Sequence, residues 1–477
     1  MLFGKKIKEF RESQKLPQRM VADALEITIP LYSRVERGER TLSRHHLPKL
    51  ALVLNVEENE LLKLYLADQV ASVLDGQSEI INDVLDIAKS GIQTMSTRKK
   101  DYTLIDMFAG CGGLSLGMEH AGFKSIFFNE IMPVFASTYL ANRNIPDGQF
   151  YIGDINKLNE EIKDYEHIWK DLDGGVDIVC GGPPCQGFSM ANRQRIIDDP
   201  RNNLYKAYLQ FLHNVRPKFF VMENVKGMAQ RVPEIKEDFM KFLGADYQID
   251  YRLLRAQDFG VPQNRERLIL IGNRVGVNPD DIFASIEKKK RAPFVLKDAL
   301  EGLPHLEARK EKNKGDLEEL PTGLTERDYT YLESRFYQFI NGNRKITKLY
   351  NHKNRYNNPR DIEIYTRLPQ GANSLHESIQ DIMPYKSRNA IFKDKYFKLD
   401  ETQICKTITS HMKFDCNMYI HPWESRGLSP REAARVQTFP DDYVLLGAQN
   451  SWYAQVGNAV PVKLAEAIGA SIMEFLA

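Results

Sequence analysis

The sequence predicts an α/β fold with a doubly wound, mostly parallel sheet, preceded by an all-α domain. From Asp101 onward, short apolar runs of strand character alternate with helical stretches, which is typical of an open sheet with helices on both faces. Over residues 1–68, apolar residues instead recur at helical spacing and predict a run of short helices. We therefore expect two different kinds of domain in one chain.

Composition places the chain among ordinary globular proteins. Its 477 residues suffice for about two to four domains, and 42% of them are hydrophobic and 27% charged. No window approaches the roughly 20 apolar residues that span a bilayer, and the N-terminus becomes charged too early for a secretory signal. The five cysteines are scattered and lack the close pairs of a zinc site, so we expect reduced thiols, no metal and a cytoplasmic protein without membrane contact.

Charge is distributed unevenly although the net charge is only +1. Residues 1–50 carry 11 Lys and Arg against 6 Asp and Glu, and residues 341–406 carry 13 against 7. Two basic regions in a nearly neutral chain fit two separate phosphate-facing surfaces. On charge alone, solvated faces that happen to be basic fit equally well.

The N-terminal helices are interrupted by a short turn that begins at Glu26. The run from Leu16 to Arg40 resembles the helix-turn-helix of phage repressors and restriction-modification controller proteins, and the resemblance covers nearly all of the first 65 residues. It departs from that pattern with Glu26 in place of the usual turn glycine and with Pro30 early in the third helix, where proline is tolerated. A helical domain that docks other proteins is the alternative interpretation.

The helix-turn-helix resemblance also implies DNA contacts. In that fold the third helix lies in the major groove, with its N-terminal residues on base edges. On this basis five residues are expected to contact bases or the phosphate backbone: Gln18, Arg19, Tyr32, Ser33 and Arg34.

Five apolar runs of the α/β region are predicted as strands: Thr103–Met107, Ser125–Asn129, Val176–Cys180, Phe219–Met222 and Leu268–Ile271. A further strand is predicted to end at Asp154. Binding sites in such sheets lie at the carboxyl ends of the strands. The residues that follow each strand are therefore the candidates for function.

Glycines and acids follow the first three strands. The turn from Asp106 to Gly113 opens a helix, and its glycines would let a ligand approach the backbone. Glu130 ends the next strand and is placed to accept hydrogen bonds from ribose hydroxyls, whereas Asp154 could accept from an adenine amino group. Taken singly, each acid could equally be a helix cap or a surface carboxylate.

A cysteine lies in a stiff loop after the strand that ends at Cys180. Pro183 and Pro184 fix the backbone of this loop, and a free cysteine in a rigid polar loop is a candidate nucleophile. The following strand ends in Glu223. The thiol of Cys185 and this carboxyl group at neighbouring strand ends predict a covalent active site, while a buried structural thiol is the alternative for Cys185 alone.

These motifs form an ordered series with others further along the chain. The series is Asp106-x-Phe-Ala-Gly-x-Gly-Gly, Glu130, Gly153-Asp154, Gly181-Gly-Pro-Pro-Cys-Gln-x-Phe-Ser, Glu223-Asn-Val, Gln263-x-Arg-x-Arg, Leu428-Ser-Pro-Arg-Glu and Gln455-Val-Gly-Asn-Ala-Val-Pro. Over about residues 101–477 it resembles the bacterial cytosine-5 DNA methyltransferases, which have a Rossmann-like methyltransferase fold. The resemblance implies S-adenosylmethionine as cofactor and implies these residues around it: Phe108, Gly110, Gly112, Glu130, Asp154, Pro183, Leu204 and Asn458. Asn458 is expected to make a structural hydrogen bond there.

The resemblance also implies roles at the base. Carbon 5 of cytosine is too weak a nucleophile to take a methyl group directly, and addition of a thiolate at carbon 6 makes the ring nucleophilic. Cys185 would be that thiolate, and Glu223 would hold N3 and the exocyclic amine. Arg267 would bind O2 and Arg265 a nearby phosphate. The cytosine has to leave the duplex to be reached, so base flipping is implied.

Further DNA contacts are expected from two places in this region. Gln186 and Ser189 lie on the loop that would close over the flipped base. Between Arg267 and Cys405 the α/β pattern gives way to charged and aromatic sequence, and in the family this interval holds the target-recognition domain. Arg388 is the candidate for DNA contact within it, although a solvated loop would have the same composition.

We therefore predict five segments along the chain. These are a helix-turn-helix domain at 1–68, a linker with a helix at 69–100, a catalytic domain at 101–275, a target-recognition domain at 276–405 and a C-terminal return to the catalytic domain at 406–477. Alternatively, residues 69–100 form a helix through which the N-terminal domain dimerises.

The predicted function is methylation of a flipped cytosine in specific double-stranded DNA, protecting host DNA from a cognate restriction endonuclease. The N-terminal domain would repress its own or a neighbouring gene. A tRNA cytosine-5 methyltransferase is the alternative with the same chemistry, but the helix-turn-helix and the long recognition interval oppose it. A DNA-binding regulator with a vestigial enzyme domain is opposed by the intact set of Cys185, Glu223 and Arg267.

Overall fold

The computed structural model describes residues 2–43, 46–73, 101–184, 204–312, 325–384 and 395–476. Its contacts divide the chain into two compact units, residues 1–100 and 101–477. Four residues with predicted roles lie outside the described residues: Cys185, Gln186, Ser189 and Arg388. Among the described residues, no helix is long and apolar enough to cross a membrane.

The N-terminal unit is helical, as predicted. Its helices are α1 (Leu2–Ser13), α2 (Gln18–Ala24), α3 (Ile29–Glu36), α4 (Leu47–Val53) and α5 (Glu58–Val73). Buried apolar residues from all five helices share one core, including Ile7, Val21, Tyr32, Leu50 and Leu61. This unit therefore has a core of its own.

The turn between α2 and α3 has a backbone conformation that normally calls for glycine. Glu26 has φ of 62°, in the left-handed region where a side chain is strained. Its carboxylate pairs with Lys49 at 2.5 Å on the exposed side of the turn. Glu26, which replaces the usual turn glycine, thus still has a backbone conformation that favours glycine.

The second unit contains a seven-stranded sheet with the order β3-β2-β1-β4-β5-β7-β6. Its strands are β1 (Tyr102–Met107), β2 (Phe123–Glu130), β3 (Phe150–Ile152), β4 (Ile178–Gly181), β5 (Phe219–Val225), β6 (Gln248–Arg255) and β7 (Glu266–Asn273). β7 alone runs opposite to the other six strands of this sheet, which confirms the mostly parallel prediction. We did not predict β6, because polar residues such as Asp250 and Arg252 interrupt its apolar ones.

Helices cover both faces of this sheet, as a doubly wound fold requires. They are α6 (Gly113–His120), α7 (Pro133–Ala141), α8 (Ile155–Glu160), α9 (Ile162–Tyr165), α10 (Leu204–Val215), α11 (Val232–Leu243) and α12 (Pro279–Lys288). Alternate strand residues enter opposite cores: Ile105 packs with the core that contains α10, and Leu104 with the core that contains α6.

The rest of the second unit has short elements, as the loss of the α/β pattern predicted. They are α13 (Leu296–Leu300), β8 (Glu326–Asp328), α14 (Arg335–Asn341), β9 (Lys348–Tyr350), α15 (Pro359–Arg367), α16 (Pro430–Val436), α17 (Gln449–Asn458) and α18 (Val462–Met473). One core joins Leu296 and Phe336 to Val436 and Trp452. Helix α18 returns to pack against α6 beside the sheet.

Candidate active site and cofactor turn

Three neighbouring parallel strands, β1, β4 and β5, bring candidate residues to one edge of the sheet. Met107 of β1 is in register with Gly181 of β4, which is in register with Met222 of β5. The residues just after these positions, Gly182 and Glu223 among them, therefore lie side by side. The register explains how motifs far apart in sequence meet.

The turn between β1 and α6, residues 108–113, is called the glycine turn below. Phe108, Gly110 and Gly112 in it all have positive φ, of 56°, 57° and 84°. A Cβ atom on Gly110 would meet no described atom within 4 Å, so the space beside this residue is open. The backbone conformation therefore requires glycine and leaves room for a ligand to approach.

Glu130, at the end of β2, holds the glycine turn from the side. One carboxylate oxygen accepts from the backbone N–H of Gly110 and the other from that of Met132, both at 2.8 Å. Burial raises the pKa of Glu130, while these backbone hydrogen bonds oppose the shift. Each oxygen keeps a lone pair with which it could accept from a ligand hydroxyl.

Asp106 lies near the end of β1, two residues before the glycine turn, and is fully buried. Its Oδ1 lies 3.5 Å from the thiol of Cys180, and its Oδ2 has no hydrogen-bond partner among the described residues. Burial raises the pKa of Asp106 to about 7. The carboxyl group is thus poised between its charged and neutral forms near neutral pH.

The other residues predicted at the cofactor have varied surroundings. Asp154 caps α8, since its Oδ1 accepts from the backbone N–H of Asn156 at 2.9 Å. Leu204 begins α10 and is half-buried against the sheet core. Asn458 is exposed at the end of α17, so its expected structural hydrogen bond stays a prediction.

Glu223 and Arg267 form an ion pair where β5 and β7 meet. The Nε of Arg267 lies 2.8 Å from Oε1 of Glu223, and the two side chains are only 13% and 12% exposed. A Cβ on Gly182 would lie 3.3 Å from Oε2 of Glu223, so the loop runs directly past this carboxylate. Asn224 fixes that loop, because its Nδ2 donates to the carbonyl of Pro183 at 2.8 Å. The structure thus brings Glu223 and Arg267 together beside the loop that precedes Cys185.

The phosphate contact predicted for Arg265 is wrong. Its side chain is buried and donates to backbone carbonyls of the C-terminal return, at 2.7 Å to Ile408 and 2.8 Å to Ala459. The neighbouring Gln263 accepts from the N–H of Ile408 at 2.7 Å. These two residues of the motif therefore tie the start of β7 to the C-terminal return, and only Arg267 reaches Glu223.

In the N-terminal unit, the DNA contact predicted for Tyr32 is wrong. Tyr32 is fully buried in the helical core, because it lies on the inner face of α3, and cannot reach a base. Arg34, on the outer face of the same helix, is exposed, and Ser33 accepts from Arg37 at 3.1 Å.

The two candidates on α2 already have partners within the unit. Arg19 is exposed and lies 3.6 Å from the carboxylate of Asp23. Gln18 donates to Glu36 at 2.6 Å, beside a buried pair between Glu36 and Arg11 that we did not predict. Arg11 and Glu36 are 25 positions apart, so no local pattern in the sequence indicates that they pair.

A sequence model of the C-5 cytosine-specific DNA methylases matches residues 102–474. The chain belongs to this family. A helix-turn-helix model matches residues 7–61, so the recognition of both parts from their motifs is confirmed. This family member is therefore a DNA cytosine-5 methyltransferase with an N-terminal helix-turn-helix, and members of the family use S-adenosylmethionine as methyl donor.

Several relatives of this methyltransferase carry names that describe their activity. The Type II methyltransferase M1.HphI of Haemophilus parahaemolyticus is 32% identical over 383 residues, which cover 78% of this chain and 87% of the relative. M.Sau96I of Staphylococcus aureus is 27% identical over 483 residues, covering 99% of this chain and 98% of the relative. The likeness to M.Sau96I therefore extends through the helix-turn-helix.

One solved structure supports the fold of the methyltransferase unit. It is the crystal structure of a putative DNA modification methyltransferase encoded within a prophage of E. coli. It superposes with a TM-score of 0.60 at 26% identity, covering 79% of this chain and 99% of that chain.

Proposed function

We propose that this methyltransferase methylates carbon 5 of a flipped cytosine through a covalent adduct of Cys185. The observation that supports this most strongly is the Glu223–Arg267 pair, which lies beside Gly182 and the loop held by Asn224. A carboxylate and a guanidinium side by side match the exocyclic amine, N3 and O2 of one cytosine edge. In the sequence, Cys185 lies two residues after Pro183.

In the proposed reaction, Cys185 forms the covalent bond, and Glu223 and Arg267 bind the cytosine ring. The thiolate of Cys185 adds to carbon 6 while Glu223 holds N3 in its protonated form and Arg267 stabilises O2. Electron density released to carbon 5 makes it nucleophilic. Carbon 5 would then attack the methyl carbon of the donor, while the bond from that carbon to sulfur breaks and S-adenosylhomocysteine leaves. Loss of the proton on carbon 5 to a base then allows the bond between sulfur and carbon 6 to break, which restores the thiolate.

The methyl donor fits the residues around the glycine turn. S-Adenosylmethionine supplies an electrophilic methyl group when it is bound. Glu130 offers carboxylate oxygens for ribose hydroxyls, and Gly110 leaves the approach open. Phe108, Leu204 and Pro183 would supply apolar contacts, and Asp154 a further acceptor, at the same edge of the sheet.

The covalent step is tested with duplex DNA that carries 5-fluorocytosine at the target. Fluorine replaces the proton that has to leave, so the wild-type protein should remain attached to this DNA under denaturing conditions. Cys185→Ser should give no adduct and should lose more than about a thousandfold in kcat. Cys405→Ser, at a buried cysteine that ends the predicted target-recognition segment, is the matched control. Methylation at the wild-type rate by Cys185→Ser would refute the assignment.

We infer that the enzyme acts within a restriction-modification system and protects DNA from a cognate endonuclease. The support is the naming of M1.HphI and M.Sau96I as Type II methyltransferases. Bisulfite sequencing of DNA from expressing cells would identify the methylated site. That DNA should resist a restriction enzyme of the same specificity, and cleavage at fully methylated sites would contradict the proposal.

The helix-turn-helix supports a second role, repression of a promoter by the N-terminal unit. Arg34 is exposed on the outer face of α3, whereas Tyr32 packs inward. In a reporter assay, Arg34→Ala in a Cys185→Ser background should relieve repression, and deletion of residues 1–68 should abolish it. Full repression after that deletion would contradict the proposal.

A further inference from the structure

We propose that Arg143 and Tyr443 are positioning residues that fix the backbone of the glycine turn for cofactor binding. Neither residue belongs to the motifs by which the family was recognised. The inference rests on the proposed placement of the cofactor beside this turn. Its starting observation is that two consecutive carbonyls of the turn, of Cys111 and Gly112, accept hydrogen bonds from these two side chains.

The side chain of Arg143 is only 5% exposed, and all three guanidinium nitrogens make hydrogen bonds. Its Nε contacts both carboxylate oxygens of Glu119, at 2.9 and 3.0 Å, which fixes the plane of the group. Its Nη2 donates to the carbonyl of Gly112 at 3.0 Å, and its Nη1 donates to the hydroxyl of Tyr443 at 3.0 Å. The guanidinium also lies 4.0 Å from the ring centre of Tyr139. A lysine could make only part of this set, because it lacks the planar fork.

Tyr443 completes the arrangement from the C-terminal return. Its hydroxyl donates to the carbonyl of Cys111 while it accepts from Arg143. The tyrosine is itself held in place, because Arg431 donates to its carbonyl. The adjacent Val444 exchanges two hydrogen bonds of 2.8 Å with the side chain of Asn142. The hydroxyl therefore reaches the turn from a rigid support.

Fixing two carbonyls fixes two peptide planes. A peptide unit is planar, so the orientation of each carbonyl sets the direction of the following N–H. The N–H of Gly112 then meets the carbonyl of Ala109 at 2.9 Å, and Gly113 opens α6 with the unpaired donors of a helix N-terminus. Without these anchors, the glycines would sample other conformations and cofactor binding would have to order them.

Gly112 shows how closely Arg143 fits the turn. A Cβ on Gly112 would lie 2.5 Å from Nη1 of Arg143. Glycine is thus required at this position both by its φ of 84° and by the guanidinium packed against it. The turn and the arginine are complementary in shape as well as in hydrogen bonding.

The proposal is tested with full-length Tyr443→Phe and Arg143→Lys, using S-adenosylhomocysteine as the titrated ligand in calorimetry without DNA. We expect the Kd to rise about fivefold for Tyr443→Phe and roughly tenfold or more for Arg143→Lys. In steady-state assays the KM for S-adenosylmethionine should rise, while kcat and the KM for DNA stay near wild type. Tyr247→Phe is the matched control, since this buried tyrosine donates to the carbonyl of Pro217 away from the turn.

The outcomes separate this inference from the function on which it rests. Unchanged Kd in Tyr443→Phe and Arg143→Lys would overturn the positioning role, as would a Kd increase no larger than that of Tyr247→Phe at an equal drop in thermal midpoint. Glu130→Ala tests the cofactor placement itself. If Glu130→Ala binds S-adenosylhomocysteine as wild type does, the proposed placement fails instead.

Discussion

Arg265 and Arg267 occupy the same motif, two positions apart, and have different tasks. Arg267 ends beside the carboxylate of Glu223, whereas Arg265 is enclosed by backbone carbonyls of the C-terminal return. Residue type and spacing predicted a guanidinium at the site, but both arginines satisfied that pattern equally. The distinction comes from residues 408–459, which pack over one arginine and not over the other.

We expect Arg265→Lys to lower the free energy of unfolding by about 3 kcal/mol, because buried carbonyls lose charged donors. Arg267→Lys should lower it by about 1 kcal/mol or less but reduce kcat/KM roughly a hundredfold, since the bond to O2 is lost. Urea unfolding and methylation assays on both variants check this. Equal losses of stability would show that Arg265 is not a structural anchor.

The buried Asp106 predicts a pH dependence of stability. Its pKa of about 7 in the folded state lies above its unfolded value, so between about pH 4 and pH 7 the folded state holds a proton that the unfolded state has released. Its contribution to the free energy of unfolding therefore falls as pH rises through this window, by at most about 1.4 kcal/mol per pH unit. Asp106→Asn should remove this slope in urea unfolding, whereas Asp147→Asn, at an exposed acid, should leave it. An unchanged slope in Asp106→Asn would contradict the prediction.

At the scale of elements, α6 and α18 illustrate close packing through small residues. A Cβ on Gly117 of α6 would lie 2.4 Å from both the Cβ of Ala465 and the carbonyl of Val462. The two helices can approach this closely only because glycine stands at the contact. We expect this contact to help hold α6, and with it the glycine turn, against the sheet.

Gly117→Ala should therefore lower the free energy of unfolding by about 2 kcal/mol, although alanine is the better helix former. Thermal melting followed by circular dichroism measures the loss. Ser137→Ala, at an exposed position of α7, is the control and should change the midpoint little. A stabilised Gly117→Ala would mean that the helices can separate without cost.

The sequence predicted elements well where one physical signal dominated. Continuous apolar runs located β1, β4 and β5, because strands covered on both faces are apolar throughout. Prediction from the sequence failed where charged residues lie in the interior. Arg426, Glu432, Arg435 and Asp441 are all buried in paired networks, so the usual rule that such residues lie outside misassigns them. Long-range pairs of this kind leave no periodicity in a single sequence.

At the scale of the whole molecule, the division into two units separates the predicted tasks. Residues 101–477 contain the sheet, both of its cores and the C-terminal return, while residues 1–100 have their own core. The methyltransferase family match lies entirely within the second unit. Catalysis and promoter binding are thus expected to be separable.

A protein of residues 101–477 should methylate DNA with kcat within about twofold of the full chain, because no described residue of the site comes from the first unit. Tritium transfer from labelled S-adenosylmethionine into plasmid DNA measures it, with Cys185→Ser in the same fragment as the background control. A large drop in kcat with an unchanged melting temperature would show that the helix-turn-helix takes part in catalysis.

Because Tyr443 contacts the glycine turn, the order of synthesis on the ribosome determines when this turn can be fixed. The turn is translated first, and Tyr443 follows Cys111 by 332 positions, with α18 translated after it. A nascent chain therefore carries all of β1 to β7 before the groups that fix its cofactor turn have emerged. We therefore expect products that terminate before Tyr443 to lack this anchor and to bind the cofactor more weakly.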